Sequence, residues 1–196
     1  MKKTTVIFLF FLTVQPAFSQ DWELKKETDN ARAYLRSTES SLKEYKIVSY
    51  FNASANCIYN NIVDFNNYQK AIKDLKELTI ISNKENVIIA YWVYGLPWPY
   101  TDRDVVTKTT IKRKEGKTEI LTTVYNNHKI PEKESLVRIA DYSDLYIIEE
   151  ISAGKTKVTL TGRVDVGGKV PAWVQNLFLT DSPLEFIEYI RDRCLD

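Results

Sequence analysis

Few side chains in this sequence could carry metal or nucleophilic chemistry. The single histidine, His128, lies in the polar stretch Asn126–Lys129, which is typical of a solvated loop. The sequence has no second histidine, no HExxH helix and no CxxC pair, so neither a zinc site nor a Ser-His-Asp triad can be built. A glycine-rich phosphate-binding loop is also absent. We therefore expect no metal and no cofactor.

Carboxyl and phenol groups are the remaining groups that could transfer a proton. Acid–base catalysis needs such a group inside a cavity. Tyr91 is one candidate, and four acidic residues are the others: Asp102, Asp104, Glu149 and Asp165. A structural role explains each of them better, and we expect the protein not to be an enzyme. A carboxylate deep in a cavity with no ion-pair partner would favour the opposite conclusion.

The first 19 residues predict an export signal. Lys2 and Lys3 precede an apolar core, Val6–Val14, which is too short to span a bilayer. Ala17-Phe18-Ser19 is a small-x-small cleavage pattern, so the mature chain would be residues 20–196, periplasmic or secreted, with the periplasm as the default. Without the two lysines the chain has 25 basic and 26 acidic residues and no basic block, which argues against nucleic acid as a partner.

The mature chain is of a size for one domain with a sizeable core. Cys57 and Cys194 are its only cysteines. Export permits a disulfide between them, but their spacing does not show whether they meet, and two buried free thiols are the simpler expectation.

Alternation and turn residues predict a chain composed mostly of strands. A hairpin of Trp22–Lys26 and Ala31–Arg36 precedes a strand at Tyr45–Asn52 and a short helix capped by Ser54. Hairpin-length connections then predict an antiparallel sheet. Its further strands are Leu75–Ser82, Val87–Gly95, Arg103–Arg113, Thr118–Asn126, one or two within Val137–Ile151 with a break at Asp141–Asp144, and Lys155–Val166.

The stretch Gly167–Cys194 predicts one long amphipathic helix. Its apolar residues recur at helical spacing, and Pro183 should kink the helix near Thr180–Ser182. The apolar stripe needs a surface to cover, and the sheet is the only one that the chain offers. The helix therefore either caps a filled core or closes a cavity. Strands that mix threonine with aliphatic residues suit a pocket, although threonine is also an ordinary strand residue.

Two motifs resemble the START family, the lipid-transfer domains related to the steroidogenic acute regulatory protein, within the SRPBCC superfamily. The first, residues 95–104, reads GLPWPYTDRD, a Pro-Trp-Pro turn followed by Arg-Asp and a strand. The second, residues 165–174, reads DVGGKVPAWV and is followed by Asn176. The resemblance implies an α+β helix-grip fold over residues 20–196, in which a curved antiparallel sheet wraps around a long C-terminal helix. It also implies a lipid-sized tunnel between them.

The resemblance implies a monomeric, non-enzymatic carrier or sensor of a lipid or another hydrophobic small molecule. Transient membrane contact is expected, with Trp173 as a candidate residue. A small-molecule cyclase or hydrolase of the same superfamily is the alternative, and a filled core serving as an interaction module is a third. The predicted ligand-binding residues are Tyr91, Val93, Val105, Thr107, Thr109, Tyr125, Val174, Leu177 and Phe178.

Polar residues near the first motif receive structural interpretations. Arg103 and an aspartate, Asp102 or Asp104, should tie the loop around Trp98 to the sheet. Sterol-binding members of the family carry an acidic residue before the Pro-Trp-Pro turn and a basic one after it. Tyr91 and Thr109 occupy those positions here, so a polar anchor would be a hydroxyl. Arg163 is a further candidate cation, for which a surface ion pair is expected.

Overall fold

A computed structural model describes residues 21–38 and 42–195, so the predicted signal peptide at residues 1–19 lies outside the described residues. The described chain forms a single large sheet with helices on its inner face. The strands are β1 Glu23–Glu27, β2 Ala31–Ser37, β3 Lys43–Phe51, β4 Leu75–Lys84, β5 Val87–Tyr94, β6 Asp102–Lys114, β7 Lys117–Val124, β8 Leu136–Arg138, β9 Asp141–Ser152 and β10 Lys155–Asp165.

The strand order is β1-β2-β3-β10-β9-β7-β6-β5-β4, and all these pairs are antiparallel. The short β8 adds a parallel pair with β6. Gly116 and Gly154 occupy the tight turns of two hairpins at φ +70°, a conformation that favours glycine. The predicted strand break at Asp141–Asp144 is wrong, because those residues begin β9 and the break falls at Ile139–Ala140.

Both predicted helices are present, but a further short helix follows the first and a π turn interrupts the second. Helix α1 spans Ala55–Val63 and is capped by Ser54. A 3₁₀ turn at Phe65–Asn67 then leads into α2 at Tyr68–Ala71. The C-terminal helix comprises α3 Ala172–Asn176, a π turn Leu177–Asp181 and α4 Ser182–Cys194. Pro183 has no N–H for the carbonyl of Leu179 four residues earlier, which explains a π turn at this point. The irregularity overlaps the kink that the sequence predicts.

The far end of α4 is fastened to the rest of the molecule. Cys194 forms a disulfide with Cys57 of α1, so the expectation of free thiols is wrong. The guanidinium of Arg191 donates to the Tyr50 carbonyl at 2.8 Å and to the Ser49 hydroxyl at 2.6 Å. With Ile187 and Ile190 fully buried against the sheet, this is the helix-grip arrangement that the motifs imply.

Candidate ligand cavity

A cavity lies between the concave face of the sheet and the start of the C-terminal helix. Its volume is about 90 Å³, it is partly open to solvent, and aromatic side chains form much of its wall. A preformed cavity of about 150 Å³ accepts benzene, and pockets for drug-sized ligands reach about 300–1,000 Å³. The cavity in this structure is therefore smaller than an acyl chain requires.

Aromatic packing explains why so little space remains. The Trp92 ring lies 5.2 Å from that of Phe65 and 5.5 Å from that of Tyr68. Tyr94 stacks on Trp92 at 6.2 Å and meets the edge of Phe178 from the π turn at 5.9 Å. The indole Nε1 of Trp92 is satisfied, since it donates to the Thr107 hydroxyl at 2.7 Å. These rings connect the sheet and the helices through van der Waals contacts.

One carboxylate, that of Asp144 on β9, lies in this aromatic wall. Only 8% of Asp144 is exposed, and its Oδ1 and Oδ2 accept hydrogen bonds from the hydroxyls of Tyr45 and Tyr142, the second at 2.7 Å. Burial raises the pKa of Asp144 to about 6, an effect that the two tyrosine hydrogen bonds reduce. No lysine, arginine or histidine forms an ion pair with it in the described residues.

The residue that pairs with Asp144 on the neighbouring strand β10 is a glycine, Gly162. Gly162 on β10 pairs with Asp144 in the sheet and with Tyr45 on the other side. A methyl group on Gly162 would overlap both the carboxylate and the phenol ring. The glycine thus lets the hydrogen-bonded pair lie flat across β10, where it faces the cavity.

Three predicted ligand-binding residues line the cavity: Val105, Leu177 and Phe178. Thr107 and Thr109 share the inner face of β6 with Val105, but their hydroxyls are engaged by Trp92 and by Thr122 at 2.8 Å. Val174 is fully buried on α3 without lining the enclosed space. Ligand contact by any of these residues stays a prediction.

Tyr91, Val93 and Tyr125 lie away from the cavity, which corrects their predicted location. The first two belong to a separate cluster with Val106 on the outer face of the sheet, and Tyr125 packs against it. Both faces of β5 are apolar and both are covered, so alternation alone could not distinguish them. Trp92 and Tyr94, the neighbouring residues on the strand, are the ones that face the cavity.

The four acidic residues named from the sequence do not enter the cavity. Asp102 pairs with Lys76 at 2.7 Å, and Asp104 takes the guanidinium of Arg138 at 2.7 and 2.8 Å. Asp165 is exposed and accepts the Gly167 N–H at 2.9 Å. Glu149 follows Ile148 on β9 and so lies on the outer face. Asp144 was missed because Asp141–Asp144 was interpreted as a strand break. The inward series 142, 144, 146 and 148 was the available signal.

Arg103 joins the two sequence motifs. Its Nε donates to the Val166 carbonyl at 2.5 Å and its Nη2 to the Gly167 carbonyl at 3.0 Å, while Nη1 donates to the Thr101 carbonyl. Asp102 in turn accepts the Leu96 N–H at 3.1 Å. The loop before β6 and the segment before α3 are therefore held together at one edge of the cavity.

The START domain family model matches residues 17–195, almost the whole chain. The chain belongs to the START domain family. Over 192 residues it is 27% identical to an uncharacterized protein of Pseudomonas aeruginosa, with 97% of this chain and 95% of that protein covered. Mouse phosphatidylcholine transfer protein is 23% identical over 185 residues, with 89% and 84% covered. The solved STAR-related lipid transfer protein of Xanthomonas axonopodis has the same fold, with a TM-score of 0.78, 20% identity, and 89% and 99% covered.

Two tryptophans in the sequence motifs of this START domain face the solvent. Trp98 in the Pro-Trp-Pro turn is 92% exposed, and Trp173 at the start of α3 is 53% exposed. The Trp173 ring meets the edge of Tyr100 at a centroid distance of 6.2 Å, which brings the two motifs together on one surface. None of the helices in the described residues is long and apolar enough to cross a membrane.

The remaining polar candidates occupy the outer surface of the START domain. His128 is half-buried in the loop after β7, where its Nδ1 accepts the Ile130 N–H at 3.1 Å. Arg163 pairs with Asp141 at 3.0 Å in the expected surface ion pair. Within residues 21–38 and 42–195, no three His, Cys, Asp or Glu side chains are grouped closely enough to hold a metal ion.

Proposed function

We propose that this protein is a carrier or sensor that buries a lipid or another hydrophobic ligand between its sheet and its C-terminal helix. The observation that carries the proposal is an aromatic-lined cavity under a helix that a π turn interrupts, in a START domain. Lipid-transfer proteins among the relatives support a lipid-binding role. The protein would act as a monomer after export, in the periplasm or outside the cell, and the disulfide suits such an oxidising compartment.

Burial of apolar surface would provide the binding free energy. Each methylene transferred from water contributes about 0.8 kcal/mol. Because the closed cavity measures about 90 Å³, uptake requires the π turn and α3 to swing away from Tyr94. Arg103 couples the loop before β6 to this segment, so the two would move together. Trp98 and Trp173, beside that edge, are suited to transient contact with a membrane interface.

The test is native mass spectrometry of gently purified mature protein, with solvent extraction and analysis of bound molecules. We expect a lipid at near one-to-one stoichiometry, or uptake of one after delipidation and refeeding. Phe178→Glu places a charge in the cavity wall and should abolish uptake, whereas the matched Ile151→Glu, at a residue 55% exposed in the β9–β10 hairpin, should not. Uptake that is equal in both variants would count against this cavity as the binding site.

Asp144 favours a second candidate function, a small-molecule enzyme that transfers protons. It is the unpaired cavity carboxylate that such an enzyme requires, and its raised pKa approaches neutrality. A ketone with exchangeable α-protons is the substrate class that this chemistry suits. Exchange of the α-protons of cyclohexanone in D₂O, followed by NMR, tests the idea. Exchange that the wild-type protein accelerates and the Asp144→Asn variant does not would favour the enzyme. Equal exchange rates with the two proteins would leave the carrier as the proposed function.

A further inference from the structure

We infer that the cavity selects a hydrophobic amine, an apolar body that ends in one protonated primary or secondary nitrogen, with the Asp144 carboxylate as its partner. The inference rests on the proposed carrier function and specifies the chemistry of the ligand. It follows from the charge of the cavity wall, from the free acceptor positions of the carboxylate, and from the absence of a partner for an anionic group among the lining residues.

The charged groups that line the cavity are both acidic. They are Asp144, inside, and the exposed Asp74 at the edge, and no lysine, arginine or histidine lines it among the described residues. Aromatic rings supply most of the remaining wall, and their faces carry negative electrostatic potential that attracts cations. A carboxylate that is buried without a cation is costly. An ammonium group on the ligand would remove that cost by becoming its counter-ion.

The carboxylate can accept more hydrogen bonds than the protein donates to it. Each oxygen of Asp144 takes one phenol, from Tyr45 or from Tyr142, while an ionised carboxylate offers about four acceptor positions. A protonated amine can donate an N–H to one of the vacant positions. Such a charge-assisted hydrogen bond is roughly twice as strong as a hydrogen bond between neutral groups. A quaternary ammonium has no N–H, so it would gain the attraction of the carboxylate and of the aromatic faces but no hydrogen bond.

The same wall is unsuited to a phosphate group. A phosphate buried here would find two carboxylates and no cation among the described lining residues. Lys76, which packs beside the lining residue Gly95, is already paired with Asp102 at 2.7 Å. The expected ligand is therefore a hydrophobic amine without a buried phosphate.

Between pH 5 and pH 7.5 the carboxyl group of Asp144 passes through its pKa of about 6. The groups that face it are phenols from β3, α2, β5 and β9, and burial raises the pKa of each, so they remain neutral: Tyr45, Tyr68, Tyr94, Tyr142 and Tyr146. With a pKa of about 6, about nine-tenths of Asp144 is protonated at pH 5. The amine should then bind about tenfold more weakly at pH 5 than at pH 7.5.

Isothermal titration calorimetry with three ligands of equal chain length tests the inference. Decylamine, decanol and decyltrimethylammonium are titrated below their aggregation concentrations into the full mature protein at pH 7.5 and pH 5. At pH 7.5 we expect decylamine to bind at least tenfold more tightly than either of the others. Asp144→Asn should remove this preference, while Asp141→Asn, which removes an exposed carboxylate of the Arg163 ion pair on the same strand, should keep it.

The outcomes separate this inference from the carrier proposal. Equal affinity for decylamine and decanol, or tighter binding of decyltrimethylammonium, overturns the amine inference and leaves the carrier function standing. Failure of all three ligands to bind overturns both. If circular dichroism shows that Asp144→Asn is unfolded, the wild-type comparison of the three ligands and its pH dependence decide the question alone.

Discussion

Replacing Asp144 by asparagine should improve the stability of the protein relative to wild type as the pH rises from 4.5 to 7.5, by an amount that the pKa of this residue determines. In the folded state the pKa is raised from 3.8 to about 6 by burial. The folded protein therefore holds this proton more tightly than the unfolded chain, so the stability that this group contributes is fully present below pH 3.8 and is lost as the pH rises through 6. At 1.36 kcal/mol for each pH step, the interval corresponds to about 3 kcal/mol.

The asparagine variant cannot ionise at this position, so the pH dependence of its stability relative to wild type reports the titration of Asp144. About 2 kcal/mol of the effect falls between pH 4.5 and pH 7.5, because the unfolded carboxyl group is already largely ionised at pH 4.5. The amide can accept a hydrogen bond from Tyr45 or Tyr142 but not from both in the same way, which lowers the stability of the variant at every pH alike. The free energy of unfolding of the variant minus that of wild type should therefore increase by about 2 kcal/mol from pH 4.5 to pH 7.5.

Urea denaturation of both proteins at the two pH values, with the disulfide intact, measures that shift. Asp141→Asn serves as the control, since this exposed carboxylate belongs to a surface ion pair whose removal changes stability little. A difference between Asp144→Asn and wild type that stays constant within about 0.5 kcal/mol would refute the reasoning. It would mean that Asp144 titrates in the folded protein as it does in the unfolded chain.

Two further predictions concern the packing and the covalent constraint. Gly162→Ala should lower the free energy of unfolding by about 1–3 kcal/mol, because its methyl group overlaps two buried side chains. Gly95→Ala, which meets only the flexible end of a lysine side chain, should change it by less than about 0.5 kcal/mol in the same urea assay. Replacing Cys57 and Cys194 by serine should cost about 2–5 kcal/mol, because the bridge joins residues 137 positions apart. Equal urea midpoints for that variant and wild type would contradict this role.

Local sequence patterns were sufficient for most of the elements and, with the two motifs, for the fold. The Ser54 cap, the hairpin glycines and Pro183 act within a few residues, so their effects can be deduced without the tertiary structure. Arg103 was expected to tie its loop to the sheet. It does so through carbonyls of the second motif, 63 and 64 residues further on, which no local pattern shows.

The cavity was less accessible to sequence reasoning because it depends on which face of each strand is covered. Strand β5 has two apolar faces, and its inner side was assigned to Tyr91 and Val93 in place of Trp92 and Tyr94. Aspartate is rare in strands, which made Asp144 resemble a turn residue. Its partner Tyr45 is 99 residues away, so only the pairing of β3, β10 and β9 brings the two together.

Because one end of the C-terminal helix is fastened, a small tilt of the helix would move its other end much further. From Ala172 to Cys194 the helix is about 34 Å long at 1.5 Å per residue. With the disulfide as fulcrum, a tilt of about 10° would carry the α3 end through about 6 Å, close to one helical turn, while the fixed end hardly moves. A thiol reductant would remove the covalent part of this attachment, while the Arg191 hydrogen bonds to Tyr50 and Ser49 would remain. The proposed opening would then depend on these non-covalent contacts to hold the fixed end of the helix.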